Sequence, residues 1–376
     1  MSGLFKRTPL ARDIAEKVLF ISPASASSSG LFLAAPRRTG KSTFLREDLR
    51  PQLEIMGALV LYVDLWENRQ TDPGDAIISA IRTELAKHDG VLARLAKSTG
   101  LDKVSVGGTS FSLERLGLEK GISLNAAMCA LSDEANKPIV LIIDEAQHAI
   151  TTEGGTNALF ALKAARDELN SSRHRGLRVV ATGSNQDKLA MLRNSKDQAF
   201  FGAPLVKFPS LGKEYVAWFC EHVNLGAPLS SDKVFDLFVK AAFRPEILGA
   251  AADKLRFEFG VEKGEIAERF NAEVLLEIES TNKEALRVIH SLTPLQSSVL
   301  QVLAKTGPAY APFEAKTIEA YQELLDRIAP ASEIRADISN VQQALSALQE
   351  KGLVWKASRG VYALEDTSLL DLLLVQ

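Results

Sequence analysis

The chain has 376 residues, a formal net charge of −3, 46% hydrophobic residues and 24% charged residues. This length predicts two or three domains, and the charge provides no overall attraction to DNA or to anionic lipid. Neither of the two cysteines has metal-ligand spacing, so both are interpreted as buried thiols in a reducing compartment. No apolar run reaches the roughly 18 residues of a membrane span, and acidic residues interrupt the N-terminal segment. We therefore expect a cytoplasmic protein with no membrane partner.

Almost entirely apolar strands alternate with segments of helical period over the first 211 residues. The predicted elements are, in chain order, a helix over 10–20, a strand over 31–35, a helix from 42, a strand within 57–67, a helix from 73, a helix over 122–137, a strand from 138, a helix to about 169, a strand over 177–185, a helix around 186–195 and a strand over 204–211. Such strands indicate a parallel sheet covered by helices on both faces. The different, alternating pattern of 101–121 is typical of an inserted hairpin.

The second part of the chain has a helical pattern. Helical periodicity extends from Gly212 to about Ser280, and the tail has helices followed by GLVWKASRGVYAL, the pattern of a β-wing. We therefore predict an α/β domain over 1–211 that carries the hairpin insertion, a helical lid over 212–285 and a winged helix over 286–376.

The stretch LFLAAPRRTGKSTFLREDL contains a candidate phosphate loop. Gly40-Lys41-Ser42 follows a short strand and precedes a helix, which is the context of a P-loop. Gly40 lets the backbone approach a β-phosphate, Lys41 places a cation between the β- and γ-phosphates, and the Ser42 hydroxyl can bind Mg²⁺. Ala35 replaces the usual first glycine, which need not adopt positive φ. The predicted phosphate-binding residues are Pro36, Arg37, Arg38, Thr39, Gly40, Lys41, Ser42 and Thr43, with Arg37 and Arg38 either near the γ-phosphate or facing solvent.

Polar residues end two later strands. In LIIDEAQ, Asp144 is predicted to hold Mg²⁺ through its water shell, and Glu145 to orient or polarise the attacking water. The alternative is that this acidic pair caps a helix. In VVATGSNQ, Ser184 or Asn185 can reach the γ-phosphate or the water, and a helix cap is again the alternative.

These motifs together resemble the AAA+ and STAND group of P-loop ATPases. The likeness is to the archaeal-type branch, including bacterial AAA family ATPases, and it rests on APRRTGKST, YVDLW, LIIDEAQ, VVATGSN, FRPEIL and the tail GLVWKASRGVYALEDTSLLDLLL. The resemblance implies a P-loop NTPase sheet, a helical lid, a C-terminal winged helix-turn-helix, and ATP and Mg²⁺ as cofactors. It also implies that Arg244 is a lid cation for the γ-phosphate, with a surface arginine beside a helix-starting proline as the alternative, and that GLFKRTPL lines an adenine pocket.

An arginine supplied by a neighbouring subunit is harder to place. Arg193, Arg173 and Arg175 are candidates for this role, and a solvated helix end explains each of them equally well. The sequence therefore leaves a homo-oligomer open.

The sequence also does not decide what the C-terminal tail binds. The segment ISNVQQALSALQEKGLV is the expected recognition helix, with Gln342, Gln343, Ser346 and Gln349 on its exposed face. Residues 290–376 carry seven Lys and Arg against ten Asp and Glu, whereas DNA-contacting faces are usually basic. Docking of a protein, regulation within the chain and contact with DNA are therefore all considered.

Two hypotheses about function follow. The first is an ATPase that converts ATP and water to ADP and phosphate, and whose turnover repositions the winged helix. The alternative is a nucleotide-gated regulator that binds DNA or protein with negligible turnover. A GTPase is disfavoured because the chain lacks an NKxD-type segment, and a small-molecule kinase because DEAQ and the long helical second half fit switch ATPases better.

Overall fold

The computed structural model describes residues 3–20, 26–68, 70–88, 123–171, 174–184, 186–194, 198–260, 262–331, 333–358, 360–366 and 373. The chain divides into two compact units. We call Arg7–Ala34 with Ser42–Lys207 the sheet unit, and Met1–Lys6, Ala35–Lys41 and Phe208–Gln376 the C-terminal unit. The predicted insertion at 101–121 and Asn185 lie outside the described residues, and the division into three domains stays a prediction.

Within the described residues, the sheet unit contains a five-stranded parallel sheet in the order β2-β3-β4-β1-β5. The strands are β1 (Leu31–Ala34), β2 (Leu59–Asp64), β3 (Ile139–Asp144), β4 (Leu177–Gly183) and β5 (Leu205–Lys207). Every residue of β3 is buried, as its unbroken apolar run predicts. The predicted parallel sheet is confirmed, although β5 is shorter than the apolar stretch 204–211 suggests.

Helices of the predicted periods accompany the strands. They are α1 (Thr8–Leu19), α2 (Lys41–Phe44), α3 (Arg50–Ile55), α4 (Pro73–Leu85), α5 (Leu124–Ala135), α6 (Glu153–Ser171) and α7 (Gln186–Ala190). Leucine, isoleucine and alanine side chains of α4, α5 and α6 pack with the strands in one core. The start of α4 shows why a helix begins there, since Asp72 accepts a hydrogen bond from the Gly74 backbone at 2.7 Å and Pro73 occupies the first turn.

The helix predicted after the phosphate loop is interrupted. A π-helical turn, Leu45–Leu49, separates α2 from α3. Pro51 follows this turn and has no N–H to donate to the Glu47 carbonyl, so the regular α-helical ladder cannot continue through this point. The periodicity of the sequence did not indicate this change of pitch.

The C-terminal unit is helical up to a final hairpin. Its helices are α8 (Lys213–His222), α9 (Ser231–Lys240), α10 (Pro245–Arg256), α11 (Ile266–His290), α12 (Pro294–Thr306), α13 (Ala315–Ile328) and α14 (Ile338–Glu350). One apolar cluster joins α8 to α11, and a second joins α12, α13, α14 and the hairpin. No helix of the described part of the chain is long and apolar enough to cross a membrane.

The last helices and the hairpin have the order of a winged helix-turn-helix. Strands β6 (Val354–Ser358) and β7 (Val361–Leu364) pair antiparallel, so the strands predicted for the tail are present as a hairpin. Thr293 and Gln296 form a capping box at the start of α12, so this helix begins where the sequence signal places it.

Candidate functional site

Asp144 is a buried, hydrogen-bonded carboxylate of the sheet unit. It is the last residue of β3 and is 0% exposed. The Thr182 hydroxyl donates to its Oδ1, the Glu145 backbone N–H donates to the same oxygen at 3.1 Å, and the Tyr62 hydroxyl donates to Oδ2 at 3.2 Å. These donors from β2, β4 and the following turn hold a buried charge at the carboxyl end of the sheet.

A second carboxylate stands beside Asp144, and sequence reasoning assigned it no role. Asp64 ends β2 in register with Asp144 and accepts hydrogen bonds from the Trp66 backbone at 2.9 Å and from Arg46 at 3.0 Å. Burial, together with the charges of Asp144 and Glu145, raises the pKa of Asp64, whereas Trp66 and Arg46 act in the opposite direction. The end of β2 in YVDLW was the sequence signal that could have pointed to this residue.

Tyr62 and Arg46 complete this group. Burial and the Asp144 charge raise the pKa of the Tyr62 phenol, so it remains a hydrogen-bond donor at neutral pH. The Arg46 guanidinium lies 5.0 Å from the centre of the Tyr62 ring and pairs with Asp64. The result is an anionic cluster at the ends of β2 and β3, with the Arg46 guanidinium beside it.

Glu145 has an unusual backbone conformation. Its φ is +53°, in the left-handed region that non-glycine residues rarely adopt. A 3₁₀ turn, Ala146–Thr151, follows it, and within that turn the Gln147 amide donates to Glu145 Oε2 at 2.6 Å. Strained backbone of this kind is concentrated at functional sites, which agrees with the predicted role of this carboxylate.

Ser184 follows β4 and is 5% exposed. Its hydroxyl finds no hydrogen-bond partner among the described residues. Buried hydroxyls nearly always form a hydrogen bond, so a buried hydroxyl without a partner indicates a place for a polar ligand or water. Asn185, the other candidate at this strand end, lies outside the described residues.

The phosphate loop belongs to the C-terminal unit up to Lys41. Arg38 and Gly40 have φ of +63° and +81°, and a Cβ on Gly40 would meet only Leu211 Cδ1, at 3.7 Å. The glycine is therefore required by its backbone conformation. Lys41 is 5% exposed, and the Thr39 hydroxyl donates to the Pro36 carbonyl at 2.8 Å. Ala35 is buried and lies outside the left-handed region, so alanine fits where the usual pattern has glycine.

Ser42 and Thr43 come next in the chain, in α2, and belong to the sheet unit. Ser42 is half-buried and Thr43 is exposed. Ser42, the less exposed of these two residues, is the one predicted to bind Mg²⁺.

Both arginines of the loop interact electrostatically with carboxylates of their own unit. Arg37 forms an ion pair with Glu365, immediately after β7. Burial raises the pKa of Glu246, at the start of α10, while the charges of Arg244 and Arg38 act to lower it. Neither interaction was predicted from the sequence, because the residues involved are far apart along the chain.

Arg244 precedes α10 in a turn of unusual geometry. Ala242 and Phe243 both have positive φ, +54° and +57°, and the Arg244 Nε donates to the Ala241 carbonyl at 3.0 Å. The Phe243 ring packs edge-on against Phe238, with 5.7 Å between ring centres. This contact supports a turn that would otherwise be strained.

The other residues named from the family resemblance have ordinary contacts. Phe5, in the segment compared with an adenine pocket, packs edge-on against Tyr215 at 5.6 Å. Arg193 donates to Asn194 at 3.1 Å and Arg175 to Asn136 at 2.9 Å, while Arg173 lies outside the described residues. These contacts do not single out one of the three arginines for a role in a neighbouring subunit.

The exposed face of α14 is polar and uncharged at its centre. Gln342, Gln343 and Ser346 are exposed, and Gln349 is half-buried. On β6, Lys356 lies 5.7 Å from the centre of the Tyr362 ring. The helix thus presents hydrogen-bonding groups that can read base edges or a polar protein surface.

Within each unit, the residues described above have chemistry that suits a magnesium-bound nucleoside triphosphate. Carboxylate and hydroxyl oxygens such as those of Asp144 and Ser42 are the ligands that Mg²⁺ prefers. The loop contributes a lysine, two arginines and a left-handed glycine, which suit phosphate groups. The Ser184 hydroxyl, which has no hydrogen-bond partner among the described residues, provides a further polar group for a ligand.

The comparisons with known proteins agree at the level of the fold. No family model matches the chain, and no curated protein matches it. Among solved structures, it is similar to the Walker-type ATPase PABY2304 of Pyrococcus abyssi, at 17% identity and a TM-score of 0.51, over 98% of this chain and 96% of that one. It is also similar to the ORC2 protein of Aeropyrum pernix in its ADP form, at 13% identity and a TM-score of 0.51, over 97% and 91%. A STAND or bacterial relationship stays a prediction.

Proposed function

We propose that this protein is a Mg²⁺-dependent ATPase. The observation that carries the proposal is the combination of a left-handed Gly40 and buried Lys41 after β1 with an acidic pair, Asp144 and Glu145, at the end of β3. One similar structure is called a Walker-type ATPase and another is in an ADP form, which agrees with this proposal.

Each residue has a defined role in the proposed reaction. Lys41 and the loop N–H groups bind phosphate, and Ser42 and Asp144 hold Mg²⁺, which would neutralise charge on the phosphates. Glu145 accepts a proton from the attacking water or polarises it, and Ser184 or Asn185 bonds to the water or the γ-phosphate. Arg244 contributes a cation that favours the triphosphate over the diphosphate.

The first test is nucleotide binding. Calorimetry is expected to show uptake of Mg·ATP by the native chain, and Lys41→Ala is expected to bind on the order of 10- to 100-fold more weakly because a charge-assisted hydrogen bond is lost. Lys240→Ala, which removes a lysine at the end of α9, is the control. Equal affinities for the native chain and Lys41→Ala, with both proteins folded, would contradict the proposal.

We further propose that nucleotide turnover repositions the winged helix. The Arg37–Glu365 ion pair supports this step because it joins the phosphate loop to the end of the wing. Charge on a bound γ-phosphate would compete with Glu365 for Arg37, so the pair would weaken in the triphosphate state.

Hydrogen exchange of the β6–β7 hairpin tests the repositioning. Glu365→Gln is expected to raise exchange in the nucleotide-free protein toward the level that Mg·ATP produces in the native chain. Glu350→Gln, at an exposed position on α14, should leave exchange at the native level. A hairpin whose exchange responds neither to nucleotide nor to Glu365→Gln would remove this part of the proposal.

The second candidate function is a nucleotide-gated regulator that binds DNA or protein. The exposed Gln342, Gln343 and Ser346 on α14 favour it, since they can form directional hydrogen bonds with a partner. Steady-state turnover that is negligible with and without DNA, together with nucleotide-dependent partner binding, would support this function. A homo-oligomer and a cytoplasmic location stay predictions.

A further inference from the structure

Gln147 is completely buried, and of the two polar groups of its side-chain amide only the nitrogen has a hydrogen-bond partner among the described residues. The Nε2 group donates to Glu145 Oε2 at 2.6 Å, and the side chain is 0% exposed. Its Oε1 finds no hydrogen-bond partner within the described part of the chain. A buried amide with an unfilled acceptor is costly, so a purely structural reason for glutamine here is weak.

The end of β4 is shaped to accept this side chain. A Cβ on Gly183 would lie 2.4 Å from Gln147 Oε1 and 2.8 Å from Leu189 Cγ. Glycine at this position therefore leaves space that the glutamine amide fills. Ser184, whose hydroxyl is also without a hydrogen-bond partner among the described residues, is the next residue along the chain.

The electrostatics around Glu145 explain why a donor is needed. The charges of Asp144 and Glu145 both act on Asp64, so three carboxylates interact at the ends of β2 and β3. Like charges at this range repel, and Glu145, which is half-buried, has more freedom to turn than the fully buried Asp144. A fixed amide donor opposes that rotation.

We infer that Gln147 is a positioning residue for Glu145, holding its carboxylate in the orientation that polarises the attacking water. This inference rests on the proposed ATPase function. Gln147 does not touch the reacting atoms; it restricts the geometry of the group that does. Its effect therefore falls on the rate of the chemical step and leaves nucleotide affinity unchanged.

The test is a kinetic double-mutant cycle with Gln147→Met and Glu145→Gln. Methionine has similar length and cannot donate. Gln147→Met is expected to lower kcat by roughly tenfold or more, within the range of general acid–base effects, while KM changes by less than about twofold. In the Glu145→Gln background the same substitution is expected to produce no further loss, since the group being positioned is absent.

A second variant and a matched control complete the design. Gln147→Glu keeps size and polarity but replaces the donor with a repelling carboxylate, so it should lower kcat at least as much. Gln322→Met removes a similar amide-to-carboxylate contact elsewhere, where the Gln322 amide donates to Asp326 at 2.7 Å, together with the bond that its Oε1 accepts from the Ala336 N–H at 2.8 Å, and should leave kcat at the native value. Thermal melting of all variants reports their folding.

The outcomes separate this inference from the proposed function. Native kcat for folded Gln147→Met, equal losses in kcat and nucleotide affinity, or a full additional loss in the Glu145→Gln background would each overturn the role of Gln147 alone. Turnover of the native chain no faster than that of Glu145→Gln would overturn the ATPase proposal, and the positioning role with it.

Discussion

Glu145→Gln protein is expected to bind Mg·ATP like the native chain and to turn it over about 10²–10⁴-fold more slowly. The substitution removes the carboxylate that accepts or polarises the proton of the attacking water. It keeps the shape of the side chain, and a glutamine carbonyl at 145 can still accept the hydrogen bond from Gln147. The fold and the phosphate loop should therefore be unchanged.

The measurement is phosphate release at saturating Mg·ATP, beside calorimetric affinity for the same nucleotide. Glu153→Gln, at the start of α6, is a matched control for loss of one acidic charge in the sheet unit. Equal turnover for the native chain and Glu145→Gln would remove the hydrolytic role of Glu145. The nucleotide-gated regulator would then be the better hypothesis for the function of this protein.

The sheet and the strand-end acidic residues could be predicted because their signals are local. The unbroken apolar run of β3 identifies a buried parallel strand, and its end places Asp144 and Glu145 at the carboxyl edge of the sheet, where open α/β sheets commonly bind ligands. Gly40 could be predicted for a similar reason, since its conformational freedom is a property of the residue itself.

The neighbours of these residues could not be predicted, because they depend on register and turn geometry. Asp64 stands beside Asp144 only through the pairing of β2 with β3, which the sequence does not specify. Gln147 contacts Glu145 where Glu145 adopts a left-handed backbone conformation, and the motif DEAQ does not by itself predict that conformation. Long-range pairs are harder still: Arg37 and Glu365 are separated by 328 positions.

Phe238→Ala is expected to destabilise the C-terminal unit by about 3–5 kcal/mol, the usual cost of deleting a buried aromatic ring. Phe238 is 0% exposed, and its ring lies 5.3 Å from Tyr215 and 5.7 Å from Phe243. Deleting the ring would remove both aromatic contacts and leave a cavity. It would also release the turn that places Arg244 at the start of α10, so nucleotide affinity should fall together with stability.

Urea unfolding followed by Trp218 fluorescence measures this loss, because Trp218 packs against the same apolar cluster. Both variants are made in a background with Trp66→Phe and Trp355→Phe, so that the signal comes from one unit. Phe259→Ala is the matched control: its ring is 98% exposed, and surface substitutions of this kind change stability by about 0.5 kcal/mol or less. Similar losses for the two variants would contradict the packing of Phe238 against the turn before Arg244. A large loss for Phe238→Ala alone, with weaker nucleotide binding, would tie the geometry of that turn to the proposed role of Arg244 in nucleotide binding.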